Sequence, residues 1–179
     1  MSVLNVSTYE PQPDDNFFFD TNIWVTLFEP IGNIRQNAQS AYSLFFQKIL
    51  FSRSKVHISS LIVSEFINVL LRNDFNLWKN KQNNVYADFK RDYRKTERCK
   101  KKSGMIATTL TKRILPQCTR LNDKFDKIKP EFLLNDLSDS DFNDLYIIQL
   151  ARNNNLKIVS GDRDLYSYSN IPVFSHSTE

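Results

Sequence analysis

The sequence predicts an α/β fold with a mostly parallel sheet, formed by a single domain of 179 residues. Short apolar runs alternate with longer stretches of helical spacing, which is the pattern of parallel strands joined by helices. The first run, residues 17–19, consists of three phenylalanines and stops at Asp20. A wholly apolar run of this length is typical of a central strand buried on both faces. Folding at this length hides roughly 70% of the surface of the unfolded chain, which is enough for a hydrophobic core.

The other elements are predicted from the same two patterns. Residues 1–15 contain two prolines among polar residues and are predicted as an irregular lead-in. Strands are predicted at residues 17–19, 55–59, 132–134, 158–159 and 171–174. Helices are predicted at residues 23–28, 35–51, 61 to about 72, and from 138–141 to about 153. Ser59 or Ser60 is placed to cap the third helix, and Asn22 is better placed than Asp20 to cap the first.

Residues 73–129 are predicted as a basic helical insertion within the domain. Tyr86, Phe89 and Tyr93 lie at helical spacing and are expected to pack in the core, and a further helical stretch follows Gly104 until Pro116 interrupts it. Six basic side chains on the other helical faces are candidates for contact with RNA phosphates: Arg91, Arg94, Lys95, Arg98, Lys101 and Lys102. A solvated face or a surface for a protein partner would explain them as well.

Charge is distributed unevenly along the chain, whose net charge is +4. Residues 1–34 carry a net charge of −5 and residues 129–179 a net charge of −4, whereas residues 35–128 carry +13. If the two acidic ends meet in the fold, their carboxylates face a positive wall. This arrangement suits a metal-assisted reaction on a polyanion, because the metal and the basic wall bind different parts of the same substrate.

The composition excludes several classes of protein. Two cysteines and two histidines are too few for a disulfide framework, a zinc site of four thiolates or a zinc hydrolase. Three widely separated glycines leave no glycine-rich nucleotide loop. Charged residues interrupt every apolar stretch well short of 18 residues, and no basic segment precedes one at the start of the chain. We therefore expect no membrane association and a cytoplasmic location, with both cysteines as free thiols.

Carboxylates follow two of the predicted strands. Asp20 ends the first strand, and Asp162 follows residues 158–159. The carboxyl ends of parallel strands meet at one edge of a sheet, and ligands bind there where the strand order switches. On a helical wheel Asp144 lies on the apolar face of its helix, where an unpaired charge is costly. These positions predict an acidic site built from several segments.

For the other acids a purely structural role remains open at this stage. Asp141 is placed to cap its helix, and Asp162 with Asp164 can cap the turn that follows a strand. Glu65 lies at the edge of a polar helical arc, where a solvated glutamate would explain it equally well.

A cluster of carboxylates needs protons or a cation to neutralise it. Two carboxylates about 4 Å apart repel by about 4 kcal/mol at an effective dielectric constant near 20. Oxygen ligands without cysteine or histidine select a hard cation, Mg²⁺ or Mn²⁺. Such an ion activates water and neutralises charge on a phosphodiester during attack. Carboxylates, a hard metal and a basic flank together indicate a nuclease.

Four stretches carry a resemblance to a known family. In chain order they are residues 17–24 (FFFDTNIW), 60–66 (SLIVSEF), 141–151 (DFNDLYIIQLA) and 158–165 (IVSGDRDL). The chain resembles the PIN-domain family and, within it, the VapC-type ribonuclease toxins. The resemblance implies a three-layer α/β/α sandwich around a parallel sheet of about five strands. The segment from about residue 73 to 129 is longer than a compact toxin usually has.

The resemblance also implies roles for individual residues. The catalytic carboxylates would be Asp20, Glu65, Asp144 and Asp162. Mg²⁺ or Mn²⁺ would be held by Asp20, Asp144 and Asp162, together with Asp164. Thr21, Asn22 and Asp141 would be accessory residues.

The implied function is a metal-dependent endoribonuclease that hydrolyses RNA phosphodiester bonds. The resemblance further implies the toxin of a toxin–antitoxin pair, with an antitoxin protein as partner and a homodimer as the assembly. Two alternatives are a PIN-domain nuclease of RNA processing outside such a pair, and a non-catalytic PIN-like module that binds RNA or a partner. A phosphatase of the haloacid-dehalogenase kind is disfavoured, because it needs a second aspartate where Asn22 stands.

Overall fold

A computed structural model describes residues 3–29, 36–123, 125–134, 141–167 and 171–177 of the chain. They form a sheet of six strands in which every neighbouring pair is parallel. The strands are β1 (Leu4–Asn5), β2 (Asn16–Phe19), β3 (Lys55–Ile58), β4 (Thr119–Arg120), β5 (Lys157–Val159) and β6 (Val173–Ser175). Their spatial order is β1-β6-β5-β2-β3-β4. The chain passes from β2 to one side of the sheet and later returns to the other side, so the strand order switches between β2 and β5.

Helices cover the sheet and confirm the predicted α/β/α class. The described α-helices are α1 (Thr21–Phe28), α2 (Gln36–Phe51), α3 (Ser60–Lys81), α4 (Glu97–Thr109), α5 (Glu131–Leu134) and α6 (Phe142–Asn153). Single π-helical turns occur at Phe89–Tyr93 and Leu110–Ile114, and short 3₁₀ turns occur at Leu115–Gln117, Phe125–Lys127 and Asp164–Ser167. Among the described helices, none combines the length and the apolarity that crossing a bilayer requires.

The central strand β2 organises the core, as its sequence predicts. Phe17, Phe18 and Phe19 are completely buried. The ring of Phe17 meets that of Phe45 on α2 edge-on at 5.4 Å, and the ring of Phe19 lies 5.2 Å from that of Trp24 on α1. The two helices that follow β2 therefore pack directly on it, and this packing fixes the position of its carboxyl end.

Two predictions about the sheet are wrong. The lead-in contains β1, and residues 132–134 belong to the short helix α5 rather than to a strand. The strand at the other edge, β4, was not predicted. Each edge strand pairs with its neighbour over only two residues, and so short a pairing leaves no periodicity in the sequence.

The third helix is longer than predicted. It begins at Ser60 with Ser59 as its cap, as expected, but it continues to Lys81 instead of ending near residue 72. Phe75 and Trp78 on this extra length pack against Tyr93, with ring centroids 5.6 and 5.7 Å apart. Tertiary packing therefore extends α3 into the polar segment. That the chain is one domain with an insertion at 73–129 remains a prediction.

The basic segment is helical but divided differently from the prediction. A π-helical turn precedes α4, and Gly104 lies inside α4 rather than before it. A Cβ atom on Gly104 would meet nothing within 4 Å, so no close contact requires a glycine at this position. Pro116 lies in a 3₁₀ turn that ends the helical run, as predicted. Cys99 and Cys118 are free thiols, also as predicted.

Candidate functional site

The candidate site lies where the strand order switches, at the carboxyl ends of β2 and β5. The backbone N–H of Asp20 donates to the carbonyl oxygen of Val159 at 3.0 Å, which ties the two strand ends together. Ser160 and Gly161 continue from β5 towards Asp162. Parallel α/β sheets bind their ligands in this crevice.

Asp20 is held rigidly in this crevice. Only 7% of the residue is exposed. Its carboxylate accepts hydrogen bonds from Thr21 N at 2.6 Å, from Ser160 Oγ at 2.7 Å and from Asn22 Nδ2. With three donors fixing it, the carboxylate has one orientation and needs no reorganisation to bind a ligand.

The expectation that Asn22 caps α1 is wrong. Asp20 is the capping residue, because it leaves the strand in an extended conformation with its carboxylate over the first helical N–H. Asn22 lies in the first turn, and its side chain donates to Ser160 Oγ at 3.1 Å and accepts from Gly161 N at 3.1 Å. Asn22 therefore fixes the chain after β5 against the chain after β2.

Thr21 links the first segment to α3. Its hydroxyl donates to Glu65 Oε2 at 2.8 Å, and the residue is 4% exposed. Glu65 is half-buried, so the solvated glutamate considered above is not what the structure contains. The bond gives Glu65 a defined orientation towards Asp20.

If the site catalyses hydrolysis, Thr21→Val should lower the rate about 10- to 100-fold, because Glu65 loses the donor that orients it. Valine keeps the shape of threonine, so the variant is expected to fold normally. Thr21→Ser keeps the hydroxyl and should retain most of the activity. Initial rates and a thermal melt for the two variants test this, and equal losses in both would show that the methyl group of Thr21 matters rather than its hydroxyl.

The remaining acids come from α6 and from the segment after β5. Asp144 is half-buried on the first turn of α6. Asp141 occupies the capping position of this helix, as the sequence suggested, but its side chain makes no capping hydrogen bond. Asp162 does act as a turn cap, since its Oδ1 accepts from Asp164 N at 3.0 Å. Residues 138–140, where the helix start was also predicted, lie outside the described residues.

These side chains line one cavity of about 220 Å³, which we call the carboxylate pocket. Its lining residues are Asp20, Thr21, Asn22, Glu65, Val69, Asp141, Asn143, Asp144 and Asp162. Asp164 is exposed and does not line it, although its charge still acts on Asp144. Acids from four separate segments of the chain thus face a common space.

Ionisation of the acids in the carboxylate pocket is unfavourable, as the raised pKa values of two of them show. Burial raises the pKa of Asp20 from 3.8 to about 6, against the hydrogen bonds from Ser160 and Thr21, and the charges of Glu65 and Asp144 act in the same direction as burial. Burial also raises the pKa of Asp144 to about 6, with the charge of Asp162 as the next cause. Each carboxylate disfavours ionisation of its neighbours.

The donor atoms suit a hard divalent cation. All are oxygens, and a cation would remove the repulsion that raises the two pKa values. Within the described part of the chain, no three Asp, Glu, His or Cys side chains are gathered as a ready-made metal site. The acids line the pocket and would have to converge further to share one ion.

The predicted RNA-contacting residues divide into two groups. Three are engaged in ion pairs: Arg91 with Asp92 at 2.8 Å, Arg98 with Asp74 at 2.8 Å, and Lys102 with Glu29 at 2.9 Å. Arg94, Lys95 and Lys101 are exposed and form no ion pair with the described chain. Only the second group keeps its charge free for a polyanion.

The aromatic residues of this segment also behave differently from one another. Phe89 and Tyr93 are buried, which confirms core packing for these two, but the prediction is wrong for Tyr86, which is 88% exposed in the turn before the π-helical turn. Tyr93 donates from its hydroxyl to Asp74 at 2.6 Å, beside the two bonds from Arg98 to the same carboxylate. Arg98 and Asp74 therefore fasten the segment to α3.

We expect Arg98→Ala and Lys101→Ala to separate stability from RNA binding. Arg98→Ala leaves Asp74 without its bidentate partner and should lower the free energy of unfolding by about 1–2 kcal/mol. Lys101→Ala should leave stability unchanged within about 0.5 kcal/mol and reduce the salt dependence of RNA binding. Denaturant titrations and RNA affinity at several salt concentrations measure both effects. The reverse pattern would make Arg98 the RNA ligand.

The sequence analysis missed Ser160, as well as Val69 and Asn143, which line the carboxylate pocket. Ser160 is completely buried, donates to Asp20 and accepts from Asp162 N at 2.9 Å. Its only signal was a hydroxyl between the last apolar residue of a predicted strand and the Gly161-Asp162 turn.

Comparisons with known proteins agree with this architecture. The PIN domain family model matches residues 17–171. FitAcB from Neisseria gonorrhoeae is similar in fold, with a TM-score of 0.51 and 16% identity over 89% of this chain and 97% of that one. PAE2754 from Pyrobaculum aerophilum aligns with a TM-score of 0.45 and 16% identity, over 97% of this chain and 92% of that one. Curated protein sequences give no match. Because the family model matches residues 17–171, which is most of the sequence, the chain belongs to the PIN-domain family, whose members are generally nucleases.

Proposed function

We propose that this protein is a Mg²⁺- or Mn²⁺-dependent endoribonuclease that hydrolyses phosphodiester bonds of RNA at the carboxylate pocket. Membership of the PIN-domain family supports nuclease activity. The observation that carries the proposal is the pocket itself, in which Asp20, Glu65, Asp144 and Asp162 come from four segments and line one space at the strand switch. A group of carboxylates this close together can bind a divalent cation, and the cation can in turn bind a phosphodiester.

The residues divide the work according to their surroundings. Asp20, Asp144 and Asp162 would hold the ion, with Asp164 adding charge nearby. A bound ion would supply an activated water and neutralise charge on the phosphodiester. Glu65, oriented by the Thr21 hydroxyl, would align the attacking water and accept its proton. Asp20 would need no rearrangement, because three donors already fix its carboxylate.

The free cations of the basic segment would bind the rest of the RNA. Arg94, Lys95 and Lys101 are exposed and form no ion pair within the described chain, although the Arg94 guanidinium also lies over the Phe89 ring at 5.4 Å. Contacts of this kind neutralise phosphates without reading sequence, so binding should weaken steeply with salt.

Cleavage of end-labelled single-stranded RNA tests the proposal. We expect internal cleavage in Mg²⁺ or Mn²⁺, none in EDTA, and recovery when metal is returned. Sequencing the new ends identifies the cleaved bonds. Cleavage that persists in EDTA would refute metal dependence, and intact RNA under all conditions would favour the non-catalytic module.

We further propose that the protein acts in the cytoplasm as the toxin of a toxin–antitoxin pair and forms a homodimer. The support is the resemblance of four sequence stretches to VapC-type toxins. An antitoxin would place a basic side chain among the carboxylates. Induced expression should arrest growth, and Asp20→Asn should not. Unaffected growth despite active protein would favour RNA processing, and a monomer in sedimentation would refute the homodimer.

A further inference from the structure

A second cavity adjoins the carboxylate pocket between α3 and α6. It measures about 370 Å³, within the range of small-ligand sites. We call it the aromatic pocket; its lining residues are Ser60, Leu61, Ser64, Asp123, Phe125, Phe142 and Tyr146. Ser64 precedes Glu65, and Phe142 precedes Asn143, so consecutive residues line the two cavities. Both cavities thus lie between the same two helices, α3 and α6.

Aromatic rings in this pocket offer flat faces on a fixed base. Tyr146 is 6% exposed, and its hydroxyl donates to the carbonyl oxygen of Asp123 at 3.1 Å. Phe125 and Phe142 pack against it at 6.1 and 5.9 Å, with interplanar angles of 33° and 24°. These two rings remain 60% and 40% exposed. Exposed rings held against a buried tyrosine offer faces on which a planar ligand can stack.

Polar groups of the pocket have unused hydrogen-bonding capacity. Asp123 Oδ2 accepts from the Ser60 hydroxyl, whereas Asp123 Oδ1 is buried with no donor in the described chain. The Ser64 side chain is exposed and makes no hydrogen bond to described residues. Asp123 Oδ1 is out of a ligand's reach because it is buried, so the exposed Ser64 hydroxyl is the group that can hydrogen-bond to a ligand in the pocket.

The surroundings favour a polyanion over an apolar peptide. Lys127 and Lys129 are exposed beside Phe125, and Arg120 is exposed on a cavity that shares Ser60 and Ser64 with the aromatic pocket. None of the three cations forms an ion pair with the described chain, and they outnumber the two acids between them, Asp123 and Asp126. A stacked planar ligand next to free cations and a phosphodiester site has the features of single-stranded RNA.

We propose that the aromatic pocket binds a nucleobase of single-stranded RNA adjacent to the bond that is cleaved. The base would stack on the exposed rings of Phe142 and Phe125 and hydrogen-bond to the Ser64 hydroxyl, while the neighbouring phosphate reaches the carboxylate pocket. This subsite rests on the proposed nuclease function and assigns to it a substrate that is single-stranded, with its bases accessible. Paired bases inside a duplex cannot reach these rings.

RNA affinity in EDTA tests the subsite without cleavage. Anisotropy of a labelled oligoadenylate is compared with that of an abasic oligomer of the same length and charge. Phe142→Leu and Phe125→Leu keep apolar volume but remove the ring. Each should weaken oligoadenylate binding about fivefold or more and leave abasic binding unchanged, because one stacked base contributes about 1–3 kcal/mol. The matched control is Phe132→Leu, which removes a ring that is 54% exposed and lies outside the pocket.

The outcomes distinguish this inference from the proposed function. If the protein cleaves RNA in Mn²⁺ but both ring variants bind oligoadenylate normally, the subsite is wrong and the nuclease stands, and the pocket then serves another ligand such as a protein. If the unaltered protein neither cleaves nor binds RNA, both are wrong. An equal loss of affinity for the abasic oligomer would also overturn the subsite, since only a base can stack.

Discussion

Asp20→Asn is expected to reduce metal-dependent RNA cleavage by well over 100-fold while the protein remains folded. Loss of an outer partner of a metal ligand typically costs 10- to 100-fold, and Asp20 would be a direct ligand. Asparagine keeps an acceptor for Thr21 N, but the Ser160 hydroxyl loses its acceptor, because its oxygen already accepts from Asn22 Nδ2 and Asp162 N. The contact with Asn22 becomes donor against donor, but the variant also loses a buried charge. The altered hydrogen bonds lower the free energy of unfolding and the loss of the buried charge raises it, so we expect the variant to remain folded.

The matched control for this variant is Asp14→Asn. Asp14 precedes the same strand and is exposed at its opposite end, so it changes the net charge equally without touching the carboxylate pocket. Cleavage rates in Mn²⁺, with circular dichroism to verify folding, compare the two variants. Full activity in Asp20→Asn would remove this carboxylate from the mechanism. Equal losses in both variants would instead indicate an effect of net charge.

Local sequence patterns predicted the centre of the fold but not its edges. Residues 17–19 are apolar on both faces, so the strand and the acid after it could be read directly from the sequence. The edge strands β1 and β4 have two residues each, too few for any periodicity. The extra length of α3 depends on packing between Phe75 and Tyr93, which a reading of neighbouring residues does not reveal.

In the candidate site, too, residues marked by a local pattern could be predicted, whereas contacts between residues far apart in the sequence could not. The strand ends and the helical wheel pointed to Asp20 and Asp144, because both features are local. The contact of Thr21 with Glu65 joins residues 44 positions apart, and only the folded chain establishes it. Likewise, charge alone could not separate Arg98, which pairs with Asp74, from the unpaired Lys101.

The metal-free protein is expected to lose stability as the pH rises from about 4 to 7. Asp20 and Asp144 both have a pKa raised from 3.8 to about 6, so the folded state keeps protons that the unfolded chain has already released. This stabilisation is fully present below pH 3.8 and is lost as the pH rises through about 6. A pKa raised from 3.8 to about 6 contributes at most about 3 kcal/mol to the free energy of unfolding at low pH, and this upper value applies to buried Asp20. For Asp144, which is partly solvated, screening by water reduces this contribution to the free energy of unfolding to about 1 kcal/mol.

Asp144→Asn isolates one part of this effect. In EDTA its melting temperature should equal that of the unaltered protein near pH 4 and exceed it by about 2–4 °C at pH 7, since the variant has no charge to confine. Metal should reverse the order at pH 7, because an ion at 100 times its dissociation constant stabilises by about 2.7 kcal/mol and the variant has lost a ligand. Thermal melts across pH, with and without Mn²⁺, measure both the pH-dependent difference between the two proteins and the stabilisation by metal. A lower melting temperature for Asp144→Asn at every pH would mean that the carboxylate stabilises the fold, and the charge of the pocket would then need no cation.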